Sequence, residues 1–341
     1  MEEELALRLK SQNISSISSI YFGGGTPSLL NSDEIARFID HLSQHYAFDN
    51  LEITLEANPD DLSLDKLREL KLAGINRLSI GIQSFFEEDL RWMNRSHNAH
   101  QAEECLENAS ALGFKNLNAD LIFGFPLLSD EKWQANMEKM LQFPVNHLST
   151  YSMTVETGTA LHHAILHKKE RPMEEGQAEK QYRMIMNFLE SKGWDHYEIS
   201  NFCLPGNPSQ HNSAYWSGEP YLGIGPSAHG YDGKNRYWNI ANNAKYLQGM
   251  EAGKLPEEIE ILSAIDQHNE MLLTRLRTEK GLDIAQFEQR FGRPALEAIL
   301  QQIQTDEMHS YFELSTDALR LNKEGFLLAD YLISELFETA P

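Results

Sequence analysis

Three consecutive glycines, Gly23 to Gly25, followed by Thr26 and Pro27, form the first segment whose residue types imply chemistry. Without a Cβ, backbone N–H and C=O groups there can approach a ligand closely, and Thr26-Pro27 fixes the exit of the turn. Further along, apolar runs close on Glu56, Gln83, Asp120 and Thr154, and Arg95 offers a planar guanidinium suited to a carboxylate. A second cluster is His211-Asn212-Ser213-Ala214-Tyr215-Trp216. Read alone, it is a loop in which a histidine stands beside two aromatics, an arrangement that is ordinarily structural. His163 and His167 lie at i, i+4, but no third metal ligand is identifiable, so a solvated helix face is expected there. The cysteines number two, Cys105 and Cys203. Iron–sulfur clusters of the [4Fe-4S] type need several closely spaced thiolates, which these two cannot supply. Cys105 falls on an apolar helix face and reads as core, whereas Cys203, shortly before His211, is a candidate thiolate ligand.

The elements that must position these residues are strand-then-helix units, which imply a parallel sheet covered by helices. Strands are expected at Ser19 to Phe22, Leu51 to Leu55, Arg77 to Ile82, Asn116 to Phe123 and His147 to Met153. Between them, Ile35, Phe38, Ile39 and Leu42 recur at helical spacing, as do Leu64, Leu67 and Leu70; further helices begin near His100 and Ser129. In parallel α/β barrels the carboxyl ends of the strands form the ligand face, so strand-end residues point to one shared site. From about Glu156 the pattern becomes helix-rich, with Tyr182, Ile185 and Phe188 on one face, and a strand follows at His196 to Ile199. Glu198 and Asn201, near that strand's end, are further candidates to line the cavity. A Gly/Pro-rich stretch spans 204–233. Beyond about Leu255 the chain reads as mostly helical, with a strand pair near Tyr311 to Glu313 and Leu319 to Leu321, a winged-helix-like appendage. The expected division is a domain over 1–240 and a second over 255–341.

With 341 residues and 41% hydrophobic content, the chain is long enough for a large domain plus a small one. Its net charge of -22 argues against nucleic acid as a partner, since phosphate-backbone binding depends on concentrated Lys and Arg. No apolar run approaches the ~20 residues of a membrane span. The acidic start and the scarcity of cysteine point to the cytoplasm.

The segments GGGTPSLL from Gly23, EANPDDLS from Glu56, INRLSIGIQSF from Ile75, NADLIFGFP from Asn118 and YLGIGPSAHG from Tyr221, in this order and spacing, closely resemble the oxygen-independent coproporphyrinogen III oxidase family of radical S-adenosylmethionine (SAM) proteins. Within that family the resemblance is to the HemW-type heme chaperones, and it covers nearly the whole chain. It implies an α/β fold, a partial (β/α)6 barrel whose second to sixth strands are the five above. The family's first strand leads into a CxxxCxxC loop that ligates three irons of a [4Fe-4S] cluster, the fourth being left for SAM. Here Met1 falls within the first expected helix, so an N-terminal truncation is the simplest account, and a clusterless paralogue the alternative. In either case this chain does not ligate the cluster.

By the same resemblance, Gly24, Gly25 and Thr26 face the SAM amino group, and Glu56 and Gln83 add polar contacts. Arg95 pairs with the carboxylate, Asp120 takes the ribose hydroxyls, and Thr154 and His229 line the adenine side. His211, Asn212, Tyr215 and Trp216 match the family's HNxxYW heme motif, with His211 as first choice of axial ligand. The implied function is heme binding and delivery to acceptor proteins, with transient membrane-protein contact among the partners. The competing implication is oxidative decarboxylation of coproporphyrinogen III; an unrelated barrel enzyme must explain the ordered motif matches by chance.

Overall fold

A computed structural model describes residues 1–11, 16–48, 50–305 and 307–339. The chain forms two compact units: Ser18–Ser209, and Met1–Ile17 together with Gln210–Pro341. The first helix, α1 (Glu2–Ser11), thus belongs with the last third of the sequence. These units do not coincide with the motif-based division at 240 and 255.

The Ser18–Ser209 unit carries β1 (Ser19–Phe22), β2 (Glu52–Ala57), β3 (Arg77–Gln83), β4 (Asn116–Phe123), β5 (His147–Ser152), β6 (Asp195–Glu198) and β7 (Asn201–Cys203) in one sheet, ordered β1-β2-β3-β4-β5-β7-β6. The first five strands are mutually parallel, and β7 runs antiparallel to β5 and β6. The sheet is mixed and curled into a half-barrel, as expected for a partial barrel. All five parallel strands lie where the sequence placed them, with ends shifted by at most two residues. Strand β4 has the expected bounds, Asn116–Phe123, and within them Asp120 sits inside the strand rather than closing its apolar run.

Alternation along these strands decides what the sheet presents. Leu117, Ala119, Leu121 and Phe123 are buried on one face of β4, and Leu78, Ile80 and Ile82 on the matching face of β3. The other face carries Glu52, Thr54 and Glu56 of β2, Arg77, Ser79, Gly81 and Gln83 of β3, and Asn118 and Asp120 of β4, the pairs Glu56–Ser79 and Ser79–Asn118 being in register. A polar lining therefore runs across neighbouring strands.

The helices of this unit are α2 (Ser32–Ser43), α3 (Leu64–Leu72), α4 (Glu87–Trp92), α5 (Ala99–Ala111), α6 (Asp130–Met140), α7 (Ala160–Leu166) and α8 (Gln177–Ser191). Their starts are chemically defined: the Asn31 side chain accepts from the Asp33 N–H at α2, and Asn98 and Gln101 form a reciprocal capping box at α5. Helix α6 buries Trp133, Met137 and Met140, and α8 buries Tyr182, Ile185 and Leu189, while Phe188 is half-exposed. His163 and His167 are exposed.

In the other unit, α9 (Gln210–Trp216) is followed by a three-stranded antiparallel sheet of β8 (His229–Tyr231), β9 (Asn235–Asn239) and β10 (Glu257–Ile261), with α10 (Asn243–Glu251) between β9 and β10. Helices α11 (Ala264–Arg275), α12 (Ile284–Phe291) and α13 (Arg293–Gln302) precede the small sheet β11-β13-β12, made of β11 (Leu282–Asp283), β12 (Phe312–Leu314) and β13 (Ala318–Leu321). The chain ends in α14 (Lys323–Leu327) and α15 (Ala329–Glu335). The β12–β13 pair was anticipated; the β8–β10 sheet and α9 were not, α9 and β8 lying inside the stretch rich in glycine and proline.

Helix α1 is held in its unit by Glu4 and Arg8, both fully buried. Glu4 accepts from Arg8 Nε (2.9 Å), Asn239 Nδ2 (2.6 Å), Gly225 N (2.8 Å) and Tyr246 OH (2.5 Å). Arg8 also bonds Asn239 Oδ1 (2.9 Å) and Glu257 (2.8 Å), with its guanidinium 3.9 Å above the Tyr237 ring. Among the described residues no helix is long and apolar enough to cross a membrane.

Candidate functional site

The polar lining ends, on the Gly23–Thr26 side, in a recess of about 130 Å³ bordered by Gly25, Thr26, Glu56, Gln83, Arg95 and Asp120, with Asn58, Ser79 and Gly81. Drug-sized ligands occupy ~300–1,000 Å³, so the recess encloses part of such a ligand and leaves the rest over the strand ends. Glycine is needed in its wall: Gly24 and Gly25 adopt φ of 76° and 64°, a left-handed backbone that L side chains avoid. The turn is tied to β2 through Gly24 N–H donating to Glu56 Oε2 (3.2 Å), while Tyr21 OH donates to Glu56 Oε1 (2.7 Å).

Arg95 donates from Nη2 to Asn58 Oδ1 (2.7 Å). A Cβ on Gly81 would lie 2.8 Å from Gln83 Nε2 and 3.2 Å from Arg95 Nη2, so only glycine leaves both groups their positions. Gln83 itself ends β3 with φ 65°, beside a register shift in the ladder, and its Oε1 is buried without a hydrogen-bond partner. A strained backbone and an unsatisfied acceptor, both at the recess, are what a site awaiting a polar ligand looks like.

Asp120 is half-buried and faces Glu56; burial, with Glu56 adding to it, pushes its carboxyl up to about 7 despite hydrogen bonds from Asn118, Ser149 and Ser79. Burial likewise raises the phenols of Tyr21 and Tyr151, with Glu56 and Asp120 reinforcing the effect. Behind Asp120 stands a polar chain that the sequence reading missed: Asn118 Nδ2 donates to Asp120 Oδ1 (2.6 Å), and Asn118 Oδ1 meets His147 Nδ1 (2.6 Å). A signal was present, since Ser79, Asn118, Asp120 and Ser149 interrupt apolar strands at every second position.

Of the other expected contacts, Thr154 is exposed two residues past β5 and does not border the recess. His229 is exposed on β8, in the other unit, 6.0 Å from the Trp238 ring. Glu198 and Asn201 are buried and bonded to each other. The recess residues suit a zwitterion carrying a ribose: Glu56 and Asp120 present oxygens, Arg95 a cation, and Gln83 a free acceptor. Arg95, Glu56, Gln83 and the Gly24–Thr26 turn would hold the methionine end of SAM, and Asp120 its ribose. In radical SAM chemistry that ligand supplies a hydrogen-abstracting equivalent.

The cysteines do not fit a cluster. Cys105 is buried in α5, its thiol donating to Ala102 O (3.2 Å) and pushed up to about 12 by burial; Cys203 is buried in β7. Among the described residues no three His, Cys, Asp or Glu side chains gather to hold a metal.

The HNxxYW residues lie on a helix, correcting the loop reading. On α9, His211 and Tyr215 are one turn apart, as are Asn212 and Trp216. Tyr215 is exposed, its ring 5.3 Å from Trp216 and 5.7 Å from Tyr221, and Arg275 Nη1 donates to Trp216 O (2.9 Å). The helix forms where Gly/Pro-rich composition suggested none, because 210–216 itself contains neither residue.

The Radical SAM superfamily model matches residues 2–140, and the HemN C-terminal domain model matches 262–328. The heme chaperone HemW of Mycobacterium tuberculosis is 32% identical over 341 residues, covering 98% of this chain and 85% of its own length. The chain belongs to the HemW family of radical SAM proteins. The family extends to HemW of Lactococcus lactis, 34% identical over 85% of this chain and 76% of its own. A zebrafish relative, mitochondrial radical S-adenosyl methionine domain-containing protein 1, is 30% identical over 98% of this chain and 78% of its own. The HemW-family fold described above matches that of Escherichia coli coproporphyrinogen III oxidase (HemN), with a TM-score of 0.79 at 22% identity over 98% of this chain and 81% of that one.

Proposed function

We propose that this HemW-family chain binds heme through α9 and passes it to acceptor proteins in the cytoplasm, with SAM as the ligand of the recess. The observation that carries the reading is the motif on α9. Helical spacing puts an imidazole and a phenol one turn apart, beside an indole, which suits an axial ligand flanked by flat surfaces for a porphyrin. The names of the relatives, heme chaperones over most of this chain, point the same way. A membrane-bound acceptor would be met by docking, not by insertion.

The fold alone leaves room for the second reading, oxygen-independent coproporphyrinogen III oxidase. The HNxxYW residues of α9 favour the chaperone reading over it.

Heme titrated into the 341-residue chain is expected to give a shifted Soret band, and His211→Ala to weaken binding with an unchanged thermal melt. Trp216→Ala costs less, because stacking adds only about 0.5–1.5 kcal/mol beyond burial while a lost ligand removes a coordinate bond. Equal affinity in parent and His211→Ala rejects the ligand assignment. Turnover of coproporphyrinogen without heme binding hands the function to the oxidase.

A further inference from the structure

Below the recess, three side chains stand on one rung of the sheet. Ser79 of β3, Asn118 of β4 and His147 of β5 are register partners, and the next rung pairs Asp120 with Ser149. His147 is fully buried at the start of β5. Its Nδ1 lies 2.6 Å from Asn118 Oδ1 and its Nε2 2.7 Å from Tyr197 OH. The Asn118 amide nitrogen reaches Asp120 Oδ1 (2.6 Å), Ser79 Oγ (2.7 Å) and Ser149 Oγ (3.0 Å).

Once Asp120 is ionised, above about pH 7, the chemistry allows one consistent assignment: the carboxylate only accepts, so the NH2 of Asn118 must face Asp120 and its oxygen must face His147. Nδ1 then has to carry a proton, and Nε2 accepts from the Tyr197 hydroxyl. A neutral imidazole meets both demands with one tautomer, and burial, with Arg77 adding to it, holds His147 well below its ordinary range. Ser149 Oγ also donates to Asn118 Oδ1 (3.2 Å), but a hydroxyl can rotate to accept instead, so Nδ1–H is the donor that holds the amide one way round; without it the oxygen can turn toward the carboxylate, which sets acceptor against acceptor.

We infer that His147 is a positioning residue: it locks the Asn118 amide in the orientation that presents NH2 to Asp120, and so fixes the aim and charge of the carboxylate in the recess. The role of Asp120 toward a ribose rests on the SAM reading; its control by His147 does not. The charged and titratable groups facing Asp120 are Tyr21 of β1, Glu56 of β2, Tyr151 of β5 and, across the recess, Arg95, and none of them is altered by changing His147.

The test titrates Asp120 by carbon-13 NMR in the full chain labelled at aspartate carboxyls, its signal assigned by its loss in Asp120→Asn. The parent should titrate near 7. His147→Leu fills the space without a donor and is expected to raise the midpoint by at least half a unit. His147→Gln, which can donate an amide hydrogen to Asn118 Oδ1, is expected to stay near the parent. Equal midpoints in parent and His147→Leu overturn the inference, as do equal shifts in Leu and Gln variants, since a packing role would not tell them apart. Should His147→Leu fail to fold, His147→Ala takes its place under the same criteria. Calorimetry with SAM then separates the two claims. Weaker binding in Leu but not in Gln ties the aim of Asp120 to the ligand. The predicted titrations with no SAM binding by any variant sustain the role of His147 and count against SAM as the ligand.

Discussion

Asp120 is the residue at which the recess conflicts with stability. Its folded carboxyl keeps a proton up to about pH 7, whereas an unfolded Asp loses it near 4. Between those values the native state binds more protons than the unfolded one, so this group makes stability fall as pH rises from about 4 to about 7 and then level off. Asp120→Asn removes the ionisable group and keeps its shape. It is expected to add about 2 kcal/mol at pH 8 and nothing at pH 4, the figure being discounted because the recess admits water. Urea melts of both proteins at the two pH values check it, and a gain equal at both would reject the account. Single residues were partly legible in the sequence. Glu56, Gln83 and Arg95 carried their chemistry in type and place, but the strained φ of Gln83 shows only in the fold, and two of the donors to Asp120, Ser79 and Ser149, are brought in by other strands. Thr154 shows the limit: closing an apolar run did not turn it into the recess.

At the scale of elements, β1 to β4 were readable because one face of each strand is apolar, as Ile53, Leu55 and Ala57 are on β2 and Leu117, Ala119, Leu121 and Phe123 on β4. Short strands such as β7 and β8 escaped, being three residues each and stabilised by pairing with strands elsewhere rather than by their own pattern. Helix α9 escaped for a different reason, its seven residues falling short of two full periods between glycine- and proline-bearing flanks. The helix makes a prediction that a loop does not. Ala214→Pro keeps every HNxxYW residue but removes an interior N–H and clashes with the preceding turn, at a cost of roughly 3 kcal/mol to the helix. Heme affinity should then drop at least tenfold, read from the Soret titration. Unchanged affinity would mean that the motif works as an extended segment.

For the whole molecule, two properties follow from residues far apart in sequence. The 341-residue chain, reconstituted anaerobically with iron and sulfide, should hold no stoichiometric [4Fe-4S] cluster, because its two thiols are buried in α5 and β7; four irons per chain with cluster absorbance would reject this. The other property is the placement of α1, which nothing in the local pattern foretold, since Glu4 and Arg8 read as solvated charges until the residues around 225–257 surround them. Their contacts span more than two hundred positions, so this unit closes only after the rest of the chain is in place. Glu4 is the centre: its two oxygens receive four donors. In Glu4→Gln one oxygen becomes an NH2 that cannot accept, which strands buried donors and leaves Arg8 with Glu257 as its carboxylate partner. Removing one member of a buried pair costs about 3–5 kcal/mol. Arg8→Met should cost more, because it leaves the buried Glu4 carboxylate, and Glu257 beside the same guanidinium, without their cation, whereas Glu4→Gln leaves Arg8 paired with Glu257. Urea unfolding of the three proteins gives the order parent, Glu4→Gln, Arg8→Met from most to least stable; the reverse order of the two variants would show that the hydrogen bonds to the carboxylate, not the guanidinium over Tyr237, anchor the helix.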